Sequence, residues 1–585
     1  MELQKFYQAK EKRIIAQIKR KRGLAQGFVA GEIISFLTII AAVTMITVTT
    51  SDVGRLAEVL IAVSSLIAYI VIRQKDSKND EIISHLEDLS KVYQNELQGL
   101  AEDFSCFDEG QRYVNPHHAY SYDLDIFGLE SLFQRMSRLV TTGGSDAMAN
   151  LLCSLEKDNN NLPDSTTINK GHTEIESLAN NEKLRDEWLA FGVREKIDTE
   201  AIRKTLFDTR DIKLPSWWGS QTVLILALAE LGAFFISILL AAMNKVSGML
   251  PLWWGTAQFF VVYLLCQNPL RSIGKGVGSL KGQLKRFVGV VKLINDEKAE
   301  VFIRMEQLID GLDKRSNILG LLTMDTFALS DFFLVRKFIR WQTEDADKVN
   351  DWIDRIIAMD QKITIATFLF NHPDTCWAEL TDDNNVTLEA HGLYHPFLGQ
   401  KAVRNDFCIA NRNFYIITGA NMAGKSTFLR AIGVNYILAR LNMPVFATSM
   451  RASRVSLFSS MRTTDDLAHG ISYFNAELLR LKQLIISCKQ NNHTLIILDE
   501  ILKGTNSIDK LNGSRLFLEY ISDLPVTGIV ATHDLELSKL TGAQYHNYCF
   551  EIELGSDVTY SYKITPGVAE NQNATFLLQK ILQEN

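Results

Sequence analysis

The residues Gly419-Ala420-Asn421-Met422-Ala423-Gly424-Lys425-Ser426-Thr427 set two glycines, a lysine and two hydroxyl side chains in the order G-x-x-x-x-G-K-S-T. The β-branched run FYIIT precedes them and the amphipathic run FLRAIGVNYILARL follows, so the loop is predicted to join a strand to the start of a helix. In that setting backbone N–H groups curl around phosphate oxygens and the helix N-terminus adds a positive dipole. Lys425 then reaches the terminal phosphates and the Ser426 hydroxyl ligates Mg2+. A second apolar run, TLIILDE at 494–500, ends in Asp499 and Glu500. Asp499 is placed to hold the Mg2+ shell and Glu500 to orient or deprotonate a water, a pairing that implies hydrolysis of ATP as well as binding. A third strand, GIVATH at 528–533, ends in His533, placed to sense the γ-phosphate.

Short β-branched runs alternating with helices from about 376 onward argue for a parallel α/β sheet that positions these three strand ends. Upstream the texture is different. Residues 33–51 contain no ionisable side chain, and a helix of that length spans a hydrocarbon core of about 30 Å. A second apolar run at 56–72 follows a short link, and the pattern repeats at 223–243 and 250–266. Basic residues bracket each pair, Arg13, Lys19 and Arg22 before the first and Arg271, Lys275 and Lys285 after the second, which puts both chain ends and all large segments in the cytoplasm. Four spans in two hairpins are therefore expected, in a multi-pass inner (cytoplasmic) membrane protein. Trp217, Trp218, Trp253 and Trp254 are expected at the membrane interfaces, and mid-span Glu230 is expected to serve helix packing, hydrogen-bonded to Gln258.

The remaining composition sets bounds. At 585 residues the chain holds about four domain-sized pieces. With 61 Lys plus Arg against 68 Asp plus Glu, the net charge of -7 excludes a polycationic nucleic-acid coat, so any DNA contact is local. Seven scattered cysteines without a C-x-x-C exclude a disulfide framework and a zinc site.

Three of these segments, TGANMAGKSTFLRAIG, DEILKGTNSIDK and ATHDLEL, resemble in order and spacing the ATPase of the MutS family of DNA mismatch-repair proteins. DDLAHGISYFNAEL at 465–478 resembles that family's signature segment, LYHPFL with Asn405 its approach to the nucleotide loop, and LDIFGLESLF with VTTGG the opening of its core domain. The resemblance covers about 120–210 and 285–580 and leaves the apolar spans outside it. It implies a homodimer in which Ser472 of one subunit reaches the γ-phosphate held by Lys425 and Ser426 of the other; read from the residues alone, Ser472 is a helix N-cap. It also implies mismatched-DNA binding, although residues 1–110, taken up by basic helix, apolar hairpin and linker, offer no room for the mismatch-reading domain. Ala420 stands where the family carries proline, Ala402 and Val403 offer no aromatic to stack on adenine, and the chain stops soon after 565–582 without a long tail.

The expected fold is mixed: an all-α core and lever module with two transmembrane helical hairpins, followed by an α/β P-loop domain of ABC/MutS type. Its expected parts are 1–80 (basic helix and first hairpin), 81–213 (first part of the helical core), 214–268 (second hairpin), 269–375 (second part of the core and lever) and 376–585 (ATPase). The expected function is a membrane-anchored ATPase with ATP and Mg2+ as ligands, coupled to DNA. The alternative is an ABC-type transporter-like machine or a membrane scaffold ATPase that does not act on DNA.

Overall fold

The first proline is Pro116, so nothing in the N-terminal hundred residues forbids uninterrupted helix. The computed structural model describes residues 2–49, 51–156, 165–210, 212–242, 245–277, 280–294, 300–315, 318–344, 348–381, 386–462, 473–554 and 558–570. Its helices are α1 (Glu2–Val48), α2 (Asp52–Leu100), α3 (Leu132–Met136), α4 (Thr142–Leu152), α5 (Ser165–Asn180), α6 (Glu182–Ala190), α7 (Thr199–Arg210), α8 (Gln221–Ala242), α9 (Met249–Val277), α10 (Lys281–Leu293), α11 (Glu300–Arg315), α12 (Ile318–Ala328), α13 (Ser330–Glu344), α14 (Lys348–Asn371), α15 (Lys425–Arg440), α16 (Tyr473–Gln490) and α17 (Ser507–Ser522). Its strands are β1 (Glu379–Thr381), β2 (Val386–Leu393), β3 (Asn405–Ala410), β4 (Phe414–Gly419), β5 (Ser449–Ser453), β6 (Ser456–Ser460), β7 (Thr494–Asp499), β8 (Val526–Ala531), β9 (Tyr545–Leu554) and β10 (Val558–Pro566). The fold is mixed, helical through α14 and α/β after it.

The chain divides into two compact units. The first comprises Met1–Glu102, Leu139–Gly144 and Glu182–Asp360. In it α2 returns antiparallel along α1: Arg22 pairs with Glu87 at 2.8 Å, Asn79 Nδ2 donates to the Lys21 carbonyl at 3.1 Å, and Arg73 pairs with Glu32 at 3.2 Å. The basic N-terminus and the first apolar stretch are one continuous helix that runs through Gly23, Gly27 and Gly31, with no proline to stop it.

Three helices, α1, α8 and α9, are long and apolar enough to cross a membrane among the described residues, where four spans were expected. The expected second span, 56–72, falls in the first part of α2, where the side chains of Leu56 and Val59 lie outside the described residues. Glu230 is paired differently from the expectation. Its Oε1 accepts the indole N–H of Trp254 at 3.0 Å, while Gln258 Nε2 donates to the Thr326 carbonyl at 3.0 Å. Trp254 reaches Glu230 because the two helices run antiparallel, and Gln258 faces α12 instead. Trp218 is buried, with its ring 5.6 Å from that of Phe332, whereas Trp217 and Trp253 stay exposed.

The same unit is pinned by one carboxylate. Asp360, fully buried on α14, accepts hydrogen bonds from the Val140 and Thr141 N–H groups (3.0 and 2.9 Å), Thr141 Oγ1 (2.7 Å) and Trp188 Nε1 (2.9 Å). Burial raises the pKa of this carboxyl and the four donors lower it, with burial the larger influence.

The second unit comprises Asp103–Arg138, Ser145–Asn181 and Gln361–Asn585. Its main sheet has the order β10-β9-β4-β8-β7-β6, parallel except for the β9–β10 hairpin. All six residues of β4 and of β8 are buried, which is why both read as continuous apolar runs. A smaller sheet, β1-β5-β2-β3, lies in the same unit. The segment before α3 is tied to the main sheet through Asp123, which accepts from Arg480 at 3.1 Å, Ser459 Oγ at 2.9 Å and the Arg462 N–H at 2.8 Å.

Candidate nucleotide site

The register of the parallel strands brings three loops to one edge. Ile417 on β4 and Asp499 on β7 both lie beside Ala531 on β8, so the residues that follow β4, β7 and β8 leave the sheet together. The loop after β4 turns through Gly419 (φ 150°), Met422 (φ 66°) and Gly424 (φ 106°), values in the left-handed region that favours glycine at two of the three. A Cβ on Gly419 would stand 3.0 Å from the Phe550 carbonyl oxygen, so β9 approaches too closely for any other residue. Gly424 ends the turn and Lys425 opens α15.

Lys425 is 6% exposed, and its Nζ donates to the carbonyls of Gly419 (2.8 Å) and Ala420 (2.9 Å). His533 lies 3.4 Å from the same nitrogen. Burial lowers the lysine pKa to about 8, although Asp499 and Glu500 act to raise it. Among the described residues no carboxylate is within ion-pair distance of this ammonium. A buried cation that closes the loop on its own carbonyls, beside a helix N-terminus, offers donors that an anion can accept from in place of those carbonyls, so the residues fit a phosphate chain.

Glu500 follows β7 with φ 58° and is held by its N–H on the Ala531 carbonyl at 2.9 Å. Its carboxylate stands 3.6 Å from His533 Nε2 and 3.5 Å from Lys510 Nζ. Burial first, and then the Lys425 charge, lower the His533 pKa, which keeps the imidazole neutral near pH 7. Thr532, just ahead of His533, is fixed by its N–H on the Ile417 carbonyl at 3.0 Å. Ser426 is half-buried in the first turn of α15, and Asn421 and Thr427 are exposed. No group of three or more His, Cys, Asp or Glu side chains suited to a metal occurs among the described residues. The Ser426 hydroxyl and the Asp499 carboxylate are hard oxygen donors of the kind Mg2+ takes.

Lys425, Asp499, Glu500 and His533 therefore meet at one place, as their positions in the sequence suggested. Ser472, expected to act across a dimer, lies outside the described residues, as do 463–471.

Two contributors were not legible. A cleft of about 570 Å³ opens beside the loop, lined by Tyr394, His395, Leu398, Asn405 and Tyr562. Tyr562, at φ 52°, lies over Gly424, with its ring carbon 3.1 Å from the position of a Cβ there, and it stacks on Tyr560 at 5.8 Å. Asn405 clips β3 to β10 by donating to the Tyr562 carbonyl (3.1 Å) and accepting from the Ile564 N–H (3.0 Å). This aromatic comes from the far hairpin, where only the alternation Tyr560-Ser561-Tyr562 signals it. The other is Glu477 on α16, 5% exposed, whose carboxylate accepts the N–H groups of Lys503 (3.0 Å) and Gly504 (2.9 Å). It fixes the turn that follows Glu500.

Residues 415–577 match the family described as MutS domain V. Over 203 residues the chain is 32% identical to the DNA mismatch repair protein MutS of Acetivibrio thermocellus, covering 33% of this chain and 23% of that protein. It is 36% identical over 247 residues to the MutS of Bartonella henselae, covering 39% and 26% respectively. It is 26% identical over 372 residues to that of Desulfovibrio desulfuricans, covering 61% and 37%. The chain spans between about a quarter and two fifths of the length of these relatives. Over these residues the chain is similar to the MutS family.

Proposed function

We propose that the protein is a membrane-anchored MutS-type ATPase that binds ATP and Mg2+ at the loop 419–427, hydrolyses ATP, and couples the cycle to DNA. The observation that carries this reading is the convergence of Lys425, Glu500 and His533 at the ends of three adjacent parallel strands, around a loop built for phosphate. On binding, Lys425 exchanges the Gly419 and Ala420 carbonyls for terminal phosphate oxygens. Ser426 and Asp499 would hold Mg2+, which would supply charge neutralisation on the phosphates. Glu500 orients and deprotonates the attacking water, and neutral His533 hydrogen-bonds beside it. Tyr562 offers a ring on which the adenine stacks, a role that Ala402 and Val403 leave open.

The family resemblance adds a dimer in which Ser472 reaches the partner's γ-phosphate, and mismatched or structured DNA as the coupled ligand. The relatives carry the name DNA mismatch repair protein, which supports that choice of ligand. The apolar helices α1, α8 and α9 support an anchor in the inner membrane, with the ATPase on the cytoplasmic side.

The same helices favour a second reading, an ABC-type transporter-like or scaffold ATPase that does not act on DNA. The ATPase rate of the detergent-purified protein, measured with homoduplex, mismatched and branched DNA over a salt titration, separates the two. Stimulation selective for one DNA form and steeply weakened by salt is expected. A rate indifferent to all three forms would reject the coupling to DNA and leave the engine assignment standing.

A further inference from the structure

The run ILGLLTMDTFALSDFFLV at 318–335 holds two ionisable residues, Asp325 and Asp331, with Arg315 before it and Arg336 and Lys337 after it. The structure breaks this run at Leu329, a buried residue with φ 50°, into α12 and α13, both packed on α9. At the break the contacts reach the middle of the α8–α9 pair. Gln258 Nε2 donates to the Thr326 carbonyl, and the Phe327 ring lies 5.7 Å from Phe234. A few residues on, the contacts are at the start of α8. Phe332 meets Trp218, and Arg336 donates to the carbonyls of Trp218 and Ser220 at 2.6 and 2.8 Å.

A helix break in hydrocarbon has no water to satisfy its free N–H groups, so protein groups must do it. Here they do. Asp325, fully buried, accepts the Asp331 N–H at 2.8 Å, and Arg315 Nε donates to Asp331 Oδ2 at 2.8 Å. The ionisable groups of the run thus turn inward, while Leu322, Met324 and Phe327 stand 49%, 50% and 48% exposed. Thr326 and Phe234 both meet the position of a Cβ on Gly255 of α9, and α8 and α9 themselves expose Phe235, Ile236, Phe260 and Val261. Eleven helical residues reach about 16 Å, roughly half of a hydrocarbon core.

We infer that α12 and the start of α13 form a re-entrant hairpin, entering and leaving the bilayer on one side, with Leu322, Met324 and Phe327 against lipid acyl chains. The inference rests on the reading of α8 and α9 as membrane spans. Acyl chains are the occupant because the contacts of Thr326 and Phe327 with Gln258, Phe234 and Gly255 set this exposed face at the depth of the middle of those two helices, and because basic residues flank both ends of the run as the positive-inside rule requires of a segment that does not cross.

The test is contact with lipid. Phe327→Cys, Ile236→Cys on α8 and Asp354→Cys on the exposed surface of α14 are each made in the full chain with its native cysteines replaced. Each is labelled with bimane and reconstituted in vesicles of phosphatidylcholine with brominated acyl chains. Quenching at Phe327→Cys equal to that at Ile236→Cys, and several-fold above Asp354→Cys, is expected. Quenching at Ile236→Cys alone overturns the hairpin and leaves the spans intact, whereas quenching at neither removes the membrane reading and the hairpin together. With the native cysteines kept, benzoylphenylalanine in place of Phe327 reads the same contact by photocrosslinking. Lipid adducts support the inference, and adducts to a second copy of the chain overturn it.

Discussion

Raising the pH from 7 to 9 should weaken ATP binding about tenfold, and the effect should belong to Lys425. Its ammonium is buried, bonded to two carbonyls and beside the His533 ring, and burial brings its pKa down to about 8. A group with that pKa is about nine-tenths protonated at pH 7 and about one-tenth at pH 9. If phosphate binds only the charged form, the apparent Kd rises as the inverse of that fraction, a loss of about 1.4 kcal/mol. The sign follows from the charge: affinity is full below the depressed pKa and is lost as the pH rises through it. A lysine with an ordinary pKa near 10.4 would leave binding flat over the same window. His533, held below its ordinary value, stays neutral throughout and adds no slope. The assay is a fluorescent ATP analogue titrated with Mg2+ at pH 7, 8 and 9, with Lys425→Met beside the native chain. A native profile flat to pH 9, or an equal slope in Lys425→Met, would refute the assignment of this lysine to the phosphates.

Three further outcomes are expected. Glu500→Gln should keep nucleotide binding and lose hydrolysis by about 10²- to 10⁴-fold, the usual yield of a general base; single-turnover ATPase measurement with unchanged rate would remove Glu500 from that role. Tyr562→Ala should raise the Kd for ATP by about 5- to 150-fold, since base–aromatic stacking contributes about 1–3 kcal/mol, and should leave the Kd for inorganic triphosphate unchanged; equal losses for both ligands would show that the ring does not hold the base. Asp360→Ala leaves the donors on Val140, Thr141 and Trp188 buried without an acceptor, at about 1–3 kcal/mol for each stranded group. Thermal unfolding in detergent should show a loss of several kcal/mol, and a melting temperature equal to that of the native chain would contradict the pinning role.

The phosphate loop was legible because its requirements are local. Glycine at 419 and 424 meets positive φ, the lysine follows at a set spacing, and the flanking strand and helix are contiguous in the chain. The ends of β7 and β8 were legible for the same reason, each a buried apolar run that stops at Asp499 and Glu500 or ahead of His533. Tyr562 and Glu477 were not, because each acts on a loop that belongs to another part of the chain. Asp360 reads as one more acid on a helix, and nothing in its neighbours announces four donors converging on it.

In the long apolar helices the division is the same. Length and absence of charge, properties of a single segment, were enough to mark α1, α8 and α9. Pairing was decided in three dimensions, where Glu230 took Trp254 and Gln258 took α12, because a side chain's partner depends on which faces meet. The run 318–335 shows the limit most plainly. Asp325 and Asp331 spoil its hydropathy when the residues are read in order, and only the tertiary structure shows both carboxylates turned inward onto a helix break and Arg315, leaving an apolar face outside. Sequence determined which segments are apolar, where the glycine-rich loop falls and which family the C-terminal region resembles. Tertiary structure decided which groups meet, because a hydrogen bond or a buried charge is a property of two surfaces and not of one stretch of chain.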